Sequence, residues 1–340
     1  MKPVSLKQIA KELGISITTV SKALNDYPDV SEKTRKKVKD LALKLDYSPN
    51  SFALGLRKNE SKTLGLIIPD NVHYFFSSVI KGILEVAEKH DYLVIVMQSN
   101  EDYELEKKQV DLLISKGVAG ILISLSNRTH IFDHLNKIIN NGIPLLLFDK
   151  ISKNVNCSKV FIDDRKSAYE AVSYLIKKGY KRIAHFRGDL NPQNSIDRFL
   201  GYKKALADNN IEFDPSLVYL CNNNSDFEDG YNSAKKLISD HQGNVDALFT
   251  VNDLLAIGAI KYFNQNNIKI PEQIALMGFS NWFMASVITP ALTTVEQNGF
   301  EMGKKAADIL FHEINCIRKG ISYEPQKVVI PTELIFRESS

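Results

Sequence analysis

Residues 14–25 read GISITTVSKALN and place several hydroxyl groups and a lysine within the length of one short helix. Three of the hydroxyl side chains suit phosphate oxygens, namely Ser16, Thr19 and Ser21. The first residues of a helix in a DNA major groove can reach base edges, and Ile17, Thr18 and Lys22 have side chains fit for that. A short surface helix with good capping residues would show the same composition, so spacing alone leaves both readings open.

A second group of polar residues follows apolar runs further along the chain: Asp70, Asp149, Asp163, Asn252 and Ser280. Each run is short and continuous, as expected of a strand buried on both faces of a parallel sheet. Open parallel sheets bind ligands at the carboxyl ends of their strands. The pattern therefore predicts a ligand site built from these strand ends.

Other chemistries find little support in the sequence. The three cysteines are far apart, and the seven histidines show no metal-ligand spacing, so we expect no disulfide framework and no metal. No glycine-rich phosphate loop or nucleophile elbow appears. We therefore expect no cofactor and no enzymatic activity. The alternative hypothesis is an enzyme built on a doubly wound fold.

The first 60 residues read as helices only. Ser5 and Gln8 form a capping box before the first helix, and Gly14 is suited to end it. Ser16 can cap a second helix over about residues 17–24, and a third begins after Val30 and Ser31. Helix, glycine turn and helix together make a helix-turn-helix.

From residue 63 onwards, apolar runs alternate with amphipathic stretches such as 76–89 and 103–116. This alternation predicts parallel sheets covered by helices on both faces. About a dozen strands exceed one comfortable sheet, so we expect two doubly wound lobes. The predicted fold is an all-α head followed by an α/β body.

Charge is uneven along the chain. The net charge is +3, but residues 1–60 contain 12 Lys or Arg against 7 Asp or Glu. A basic head on a slightly acidic body indicates a polyanionic partner for the head alone. No apolar run is long enough to span a bilayer and no signal-peptide pattern is present, so we expect a cytoplasmic protein without a membrane partner.

The segments VSLKQIAKELGISITTVSKALN and VSEKTRKKVKDLALKLDYSPN resemble the DNA-binding domain of the lactose-repressor-like (LacI/GalR) family of bacterial transcriptional regulators. The resemblance continues through LGLIIPD, FTVNDLLAIGAI, IPEQIALMGFSN and TPALTTVEQ, and covers essentially the whole chain. It implies a periplasmic-binding-protein-like body and a homodimer that binds a palindromic operator in double-stranded DNA.

The resemblance also implies which residues would contact DNA. Base contacts would come from Ile17, Thr18 and Lys22, although many relatives have arginine where Lys22 stands. Further contacts, mostly to the backbone, would come from Leu6, Ser16, Thr19, Ser21, Asn25, Ser31, Thr34 and Tyr47. A hinge helix would add Asn50, Ala53 and Leu56, with Leu56 wedged into the minor groove.

By the same resemblance, a sugar or sugar derivative would bind between the lobes. The residues expected to contact this effector are Asp70, His73, Phe75, Phe76, Val79, Asp149, Phe161, Asp163, Asn194, Arg198, Phe227, Asn252, Ser280 and Gln297. Core packing explains each phenylalanine equally well, and His73 suits a surface loop. Many relatives carry an acidic residue where Ser280 and Asn281 stand, which suggests a phosphorylated or acidic sugar. Trp282, the single tryptophan, should change its fluorescence when effector binds.

The expected domains are the head (1–48), the hinge and linker (49–61) and the body (62–340). Within the body we expect lobe 1 at about 62–161 and 292–322, and lobe 2 at about 162–291 and 323–340. Effector binding would shift the lobes and thereby operator affinity. A solute-binding protein without a transcriptional role is the rival reading, and inducer or co-repressor logic stays open.

Overall fold

The computed structural model describes residues 4–47, 61–70, 74–221 and 226–340. The chain divides into two units, residues 1–61 and 62–340. The first is the helical head and the second is the body. None of the helices in the described ranges is long and apolar enough to cross a membrane.

The head consists of three helices: α1 (Leu6–Leu13), α2 (Ile17–Leu24) and α3 (Glu32–Lys44). The predicted caps are confirmed, because the hydroxyls of Ser5, Ser16 and Ser31 each accept the backbone N–H three residues later. Gly14 ends α1 with φ at 64°, a left-handed conformation that glycine adopts without steric cost. The helices enclose a small core formed by Ile9, Ala10, Val20, Ala23, Val30, Val38 and Ala42.

The first lobe of the body is built on a six-stranded parallel sheet. Its strands are β1 (Thr63–Ile68), β2 (Leu93–Gln98), β3 (Gly120–Ile123), β4 (Leu145–Phe148), β5 (Ser158–Ile162) and β11 (Lys327–Ile330). Their spatial order is β11-β5-β4-β3-β1-β2. The helices that accompany them are α4 (Tyr74–Lys89), α5 (Tyr103–Ser115), α6 (Asp133–Asn140) and α11 (Gly299–Arg318).

The second lobe has a four-stranded parallel sheet in the order β7-β6-β8-β9. Its strands are β6 (Ile183–Arg187), β7 (Val218–Leu220), β8 (Ala247–Thr250) and β9 (Ala275–Met277). Its helices are α7 (Asp164–Lys177), α8 (Gln193–Asp208), α9 (Asp226–His241) and α10 (Asp253–Gln265). Two short 3₁₀ helices cover Pro215–Leu217 and Phe283–Ser286.

A two-stranded antiparallel ribbon joins the lobes, formed by β10 (Thr294–Glu296) and β12 (Glu333–Ile335). The main chain passes between the lobes at three places: after β5, after β10 and after β11.

Two of the expected lobe boundaries are wrong. Residues 323–340 are expected in lobe 2, but strand β11 pairs with β5 in the sheet of lobe 1. Residues 292–296 continue lobe 2, because Leu292 packs in its core and Thr293 bridges to Met277. The pairing of a strand is a long-range choice, and the apolar run KVVI fits either sheet equally well.

Candidate functional site

The head presents the first side chains of α2 at its surface, whereas Val20 and Ala23 of the same helix are buried. Ile17, which begins the helix, is 44% exposed, and the neighbouring Thr18 is exposed as well. The Ser16 hydroxyl accepts the Thr19 N–H at 3.0 Å and lies 2.8 Å from the Thr19 hydroxyl. The start of α2 therefore combines an apolar side chain, hydroxyls and backbone N–H groups on one accessible end.

Lys22 lies on the same helix but already has a partner. Its ammonium donates to the carboxylate of Asp29 in the turn that follows α2, and both groups are partly exposed. This hydrogen bond lowers the pKa of Asp29 below its usual value. A base contact by Lys22 would therefore have to replace or share this ion pair.

The other expected DNA contacts have mixed surroundings in the head. Asn25, Ser31 and Thr34 lie at the surface or close to it, and Asn25 donates to the carbonyl of Ser21 at 2.7 Å. Leu6 and Tyr47 are half-buried against the core of the head. The hinge residues Asn50, Ala53 and Leu56 lie outside the described residues.

In the body, a cleft of about 530 Å³ lies between the lobes. Ten of the expected effector residues line it: Asp70, Phe75, Phe76, Asp149, Asn194, Arg198, Phe227, Asn252, Ser280 and Gln297. Most stand at the carboxyl end of a strand or at the start of the following helix, where the topology of both sheets brings them together. Trp282 also lines the cleft.

Three expected residues do not reach the cleft, and His73 lies outside the described residues. Val79 is fully buried in the core, where its carbonyl packs against Gly303 of α11. Phe161 is half-buried on β5, where it pairs in register with Val329 of β11. Asp163 is exposed and caps α7, its carboxylate accepting the Lys166 N–H at 3.0 Å.

Arg198 is the best-anchored polar side chain of the cleft. It is 5% exposed, and its Nε donates to Asp164 at 2.7 Å. Its Nη1 donates to the Val251 carbonyl at 2.6 Å, and its guanidinium lies 3.7 Å from the centre of the Phe279 ring. Burial raises the pKa of Asp164 to about 6 even though Arg198 acts in the opposite direction. The arginine is thus fixed in place before any ligand enters.

Several lining residues were missed by the sequence analysis. Lys150 donates to Glu101 at 2.5 Å and to the Asn127 side chain at 2.6 Å, and these three residues form one wall of the cleft. Lys150 and Glu101 are 49 positions apart in the chain. No local spacing signals such a contact, because β4 and β2, which precede Lys150 and Glu101, are separated in the sheet by β3 and β1.

Asp253 and Asn252 combine lining and structural roles. Asn252 caps α10 by accepting the Leu255 N–H at 3.0 Å, and its amide donates to Asp226 at 2.8 Å. Asp253 accepts the Thr294 hydroxyl at 2.6 Å and the Trp282 N–H at 2.7 Å, which holds the segment after β9 against lobe 2. Burial raises the pKa of Asp253 to about 6.

An exposed helix-turn-helix and a two-lobed body with a polar cleft define a DNA-binding regulator that carries a ligand-binding module. Residues 5–50 match the family of bacterial regulatory proteins called lacI, and residues 61–338 match the periplasmic binding proteins and sugar binding domain of the LacI family. The chain belongs to the LacI family of bacterial transcriptional regulators.

Relatives over the full length agree with this assignment. The chain is 33% identical to the HTH-type transcriptional regulator RegA of Clostridium saccharobutylicum, over 99% of each protein. It is 31% identical to the HTH-type transcriptional repressor CytR of Escherichia coli K12, over 99% of this chain and 96% of that one. The fold resembles the lac repressor dimer bound to operator and the anti-inducer ONPF, with a TM-score of 0.85, 22% identity and 99% coverage of both chains.

Proposed function

We propose that this regulator is a repressor whose homodimer binds a palindromic operator, and that a small polyhydroxylated metabolite in the body cleft controls its affinity for that operator. The observation that carries the proposal is the cleft itself, where side chains from the strand ends of both lobes converge on a volume fit for one small ligand. A ligand that contacts both lobes can favour one arrangement of them over another, because it binds the two arrangements unequally.

At the DNA, Ile17, Thr18 and Lys22 are proposed to contact bases. Lysine is a point-like donor without the fork that arginine offers to guanine, so the base opposite Lys22 is less restricted than an arginine would make it. Contacts to the DNA backbone are proposed for the other head residues: Leu6, Ser16, Thr19, Ser21, Asn25, Ser31, Thr34 and Tyr47. The hinge residues Asn50, Ala53 and Leu56 keep their predicted role, with Leu56 as the wedge in the minor groove.

Support for a dimer comes from lobe 1. Strand β2 is the outer strand of its sheet, and Leu93 and Val96 on it are 59% and 44% exposed. Leu84 on the accompanying helix α4 is 43% exposed. Exposed apolar side chains on an edge strand and on the helix beside it support a contact with a second copy in this region.

In the cleft, Arg198 would bind ligand hydroxyls, Asp149 would accept a hydrogen bond from a ligand donor, and aromatic side chains would cover the apolar face of a sugar ring. Phe76 and Trp282 are available for the latter role, since both line the cleft. Arg198 keeps guanidinium N–H groups beyond those bound to Asp164 and Val251, so it can serve a ligand without losing its anchors.

Selection of bound fragments from random DNA with the purified full-length chain tests the proposal. We expect a palindromic consensus whose binding weakens steeply as salt is raised, because bound Lys and Arg displace counterions. Lys22→Ala should lower affinity for the consensus, whereas Lys44→Ala at the far end of α3 serves as the matched control. Equal binding to palindromic and scrambled duplexes would contradict the proposed regulator and favour the alternative, a solute-binding protein without a transcriptional role.

A further inference from the structure

The cleft has an excess of negative charge. Among its described lining residues, six are carboxylates and two are cations: Asp70, Glu101, Asp149, Asp189, Asp226 and Asp253 against Lys150 and Arg198. A ligand that enters this space therefore meets many more acceptors with negative charge than donors with positive charge.

Both cations are already paired within the protein. Lys150 is held by Glu101 and Asn127, and Arg198 is bound to Asp164. A phosphate or carboxylate on the ligand would have to compete with these carboxylates for its counterions. Two of the helix starts at the cleft already carry an acidic residue, because Asp226 and Asp253 lie in the first turns of α9 and α10, whereas the first turns of α4 and α8 carry none.

Asp149 lies deep in the cleft, and none of the basic side chains in the described ranges forms an ion pair with it. It is 7% exposed, and its carboxylate accepts the Ser124 hydroxyl at 3.3 Å. Burial raises its pKa, while Lys150 and Arg198 nearby partly oppose that effect. A buried carboxylate with so few donors is stabilised by a charged donor on the ligand.

Neutral hydrogen-bonding groups also remain unused in the cleft. The Ser195 hydroxyl is buried without a partner in the described residues, and Ser195 itself is 5% exposed. The Gln297 side chain, 2% exposed, makes no hydrogen bond within the same part of the chain. Unpaired polar atoms that line a cleft indicate hydrogen bonds completed by a bound molecule.

We propose that the effector is a polyhydroxylated molecule that carries a protonated amine, such as an amino sugar, and not a phosphorylated or acidic sugar. The inference rests on the proposed function, because it names the ligand class of the same cleft. The amine would bind among Asp149 and the neighbouring carboxylates, the hydroxyls would bind Arg198, Ser195 and Gln297, and the ring would lie on the aromatic side chains. This reverses the expectation of an acidic or phosphorylated sugar drawn from Ser280 and Asn281.

Calorimetric titration of the full-length protein with matched ligands tests the inference. Each set compares one sugar skeleton as the neutral sugar, the amino sugar, its N-acetyl form and the sugar phosphate, starting with glucose, glucosamine, N-acetylglucosamine and glucose 6-phosphate, and continuing with the galactose and mannose series. We expect at least one amino sugar to bind about tenfold or more tightly than its neutral and phosphorylated counterparts, the gain from one charge-assisted hydrogen bond.

Asp149→Asn should remove most of this preference, and Asp226→Asn provides a second variant if the first is unstable. Asp208→Asn, which alters a carboxylate paired with Lys204 outside the cleft lining, is the control and should keep the preference. Tighter binding of a phosphate form, equal binding of amine and neutral forms, or no binding of any amine at millimolar concentration would each overturn the inference. Operator selection is measured separately, so failure here leaves the regulator function intact unless operator selectivity is also absent.

Discussion

Replacement of Arg198 by methionine tests how much the buried ion pair between Arg198 and Asp164 contributes to stability. The guanidinium and the Asp164 carboxylate are 6% and 8% exposed, so the variant leaves a carboxylate buried without its cation and the Val251 carbonyl without its donor. Removing one partner of such a pair costs about 3–5 kcal/mol in unfolding free energy. Lys204→Met, which breaks an exposed pair on the same helix, should cost less than about 1 kcal/mol.

The loss of unfolding free energy in Arg198→Met should increase as pH rises. Burial already raises the pKa of Asp164 to about 6, and removal of Arg198 raises it further. The folded variant therefore takes up a proton more readily than its unfolded chain, which relieves the buried charge as pH falls. The difference in unfolding free energy between the unaltered protein and Arg198→Met should therefore be larger at pH 8 than at pH 5.

Urea unfolding followed by the fluorescence of Trp282 reports on the body alone, because this single tryptophan lies in that unit. Adding Asp164→Asn to Arg198→Met should recover at least about 1.5 kcal/mol at pH 8, since the buried charge is then gone. The folded single variant should still bind operator but respond weakly to effector. A deficit that stays constant between pH 5 and pH 8, or a double variant less stable than the single one, would refute the reasoning.

Three further predictions concern other parts of the molecule. Burial raises the pKa of Glu313 from 4.5 to about 7, so the unaltered protein loses stability as pH rises through this range. Glu313→Gln removes this loss, and its unfolding free energy in urea should therefore exceed that of the unaltered protein by up to about 3 kcal/mol at the upper end of the range. A difference in unfolding free energy that does not change with pH would contradict the prediction. Asp29→Asn frees Lys22 from its ion pair and should strengthen operator binding about two- to fivefold, as measured by fluorescence anisotropy. Unchanged or weaker binding would show that Asp29 does not compete with the operator for Lys22. Gly82→Ala should destabilise the body by about 1–3 kcal/mol, because the new Cβ would lie 2.2 Å from the Phe300 carbonyl oxygen; an unchanged unfolding midpoint would contradict this.

Features fixed by neighbouring residues could be predicted from the sequence. Ser16 and Gly14 bound the turn of the helix-turn-helix through contacts within three or four positions, which a short motif contains. Most central strands of both sheets follow from apolar runs that suit burial on two faces, whereas the edge strands β7 and β11 were not predicted. Of the five polar residues predicted at strand ends, Asp70, Asp149, Asn252 and Ser280 line the cleft and Asp163 does not.

Features fixed by distant packing could not be predicted. Val79 occupies a helical position that could face either the cleft or α11, and the close approach of Gly303 decides for α11. The Lys150–Glu101 pair joins the ends of separate strands, and its effect on ligand charge appears only when both side chains share one wall. The sequence therefore predicted four of the strand ends that form the site, but it missed the ends of β2 and β3 and the pairing of the charges there.

The segment after β9 connects the cleft to the crossings between the lobes. Ser280 and Trp282 line the cleft, while Asn281 between them accepts from Arg337 at 2.7 Å and donates to Glu296 at 2.7 Å. Glu296 in turn accepts the N–H of Asn298 at 2.7 Å, at the point where the chain crosses to α11. Ser280 has a φ of 121°, a conformation that is costly for residues other than glycine, whereas Asn281, with a φ of 47°, has a left-handed conformation that asparagine tolerates. An amide at position 281, which donates and accepts at once, can bridge Arg337 and Glu296, whereas a carboxylate there would repel Glu296. Asn281 therefore links the segment that lines the cleft to the residues at the crossing between the lobes through two side-chain hydrogen bonds.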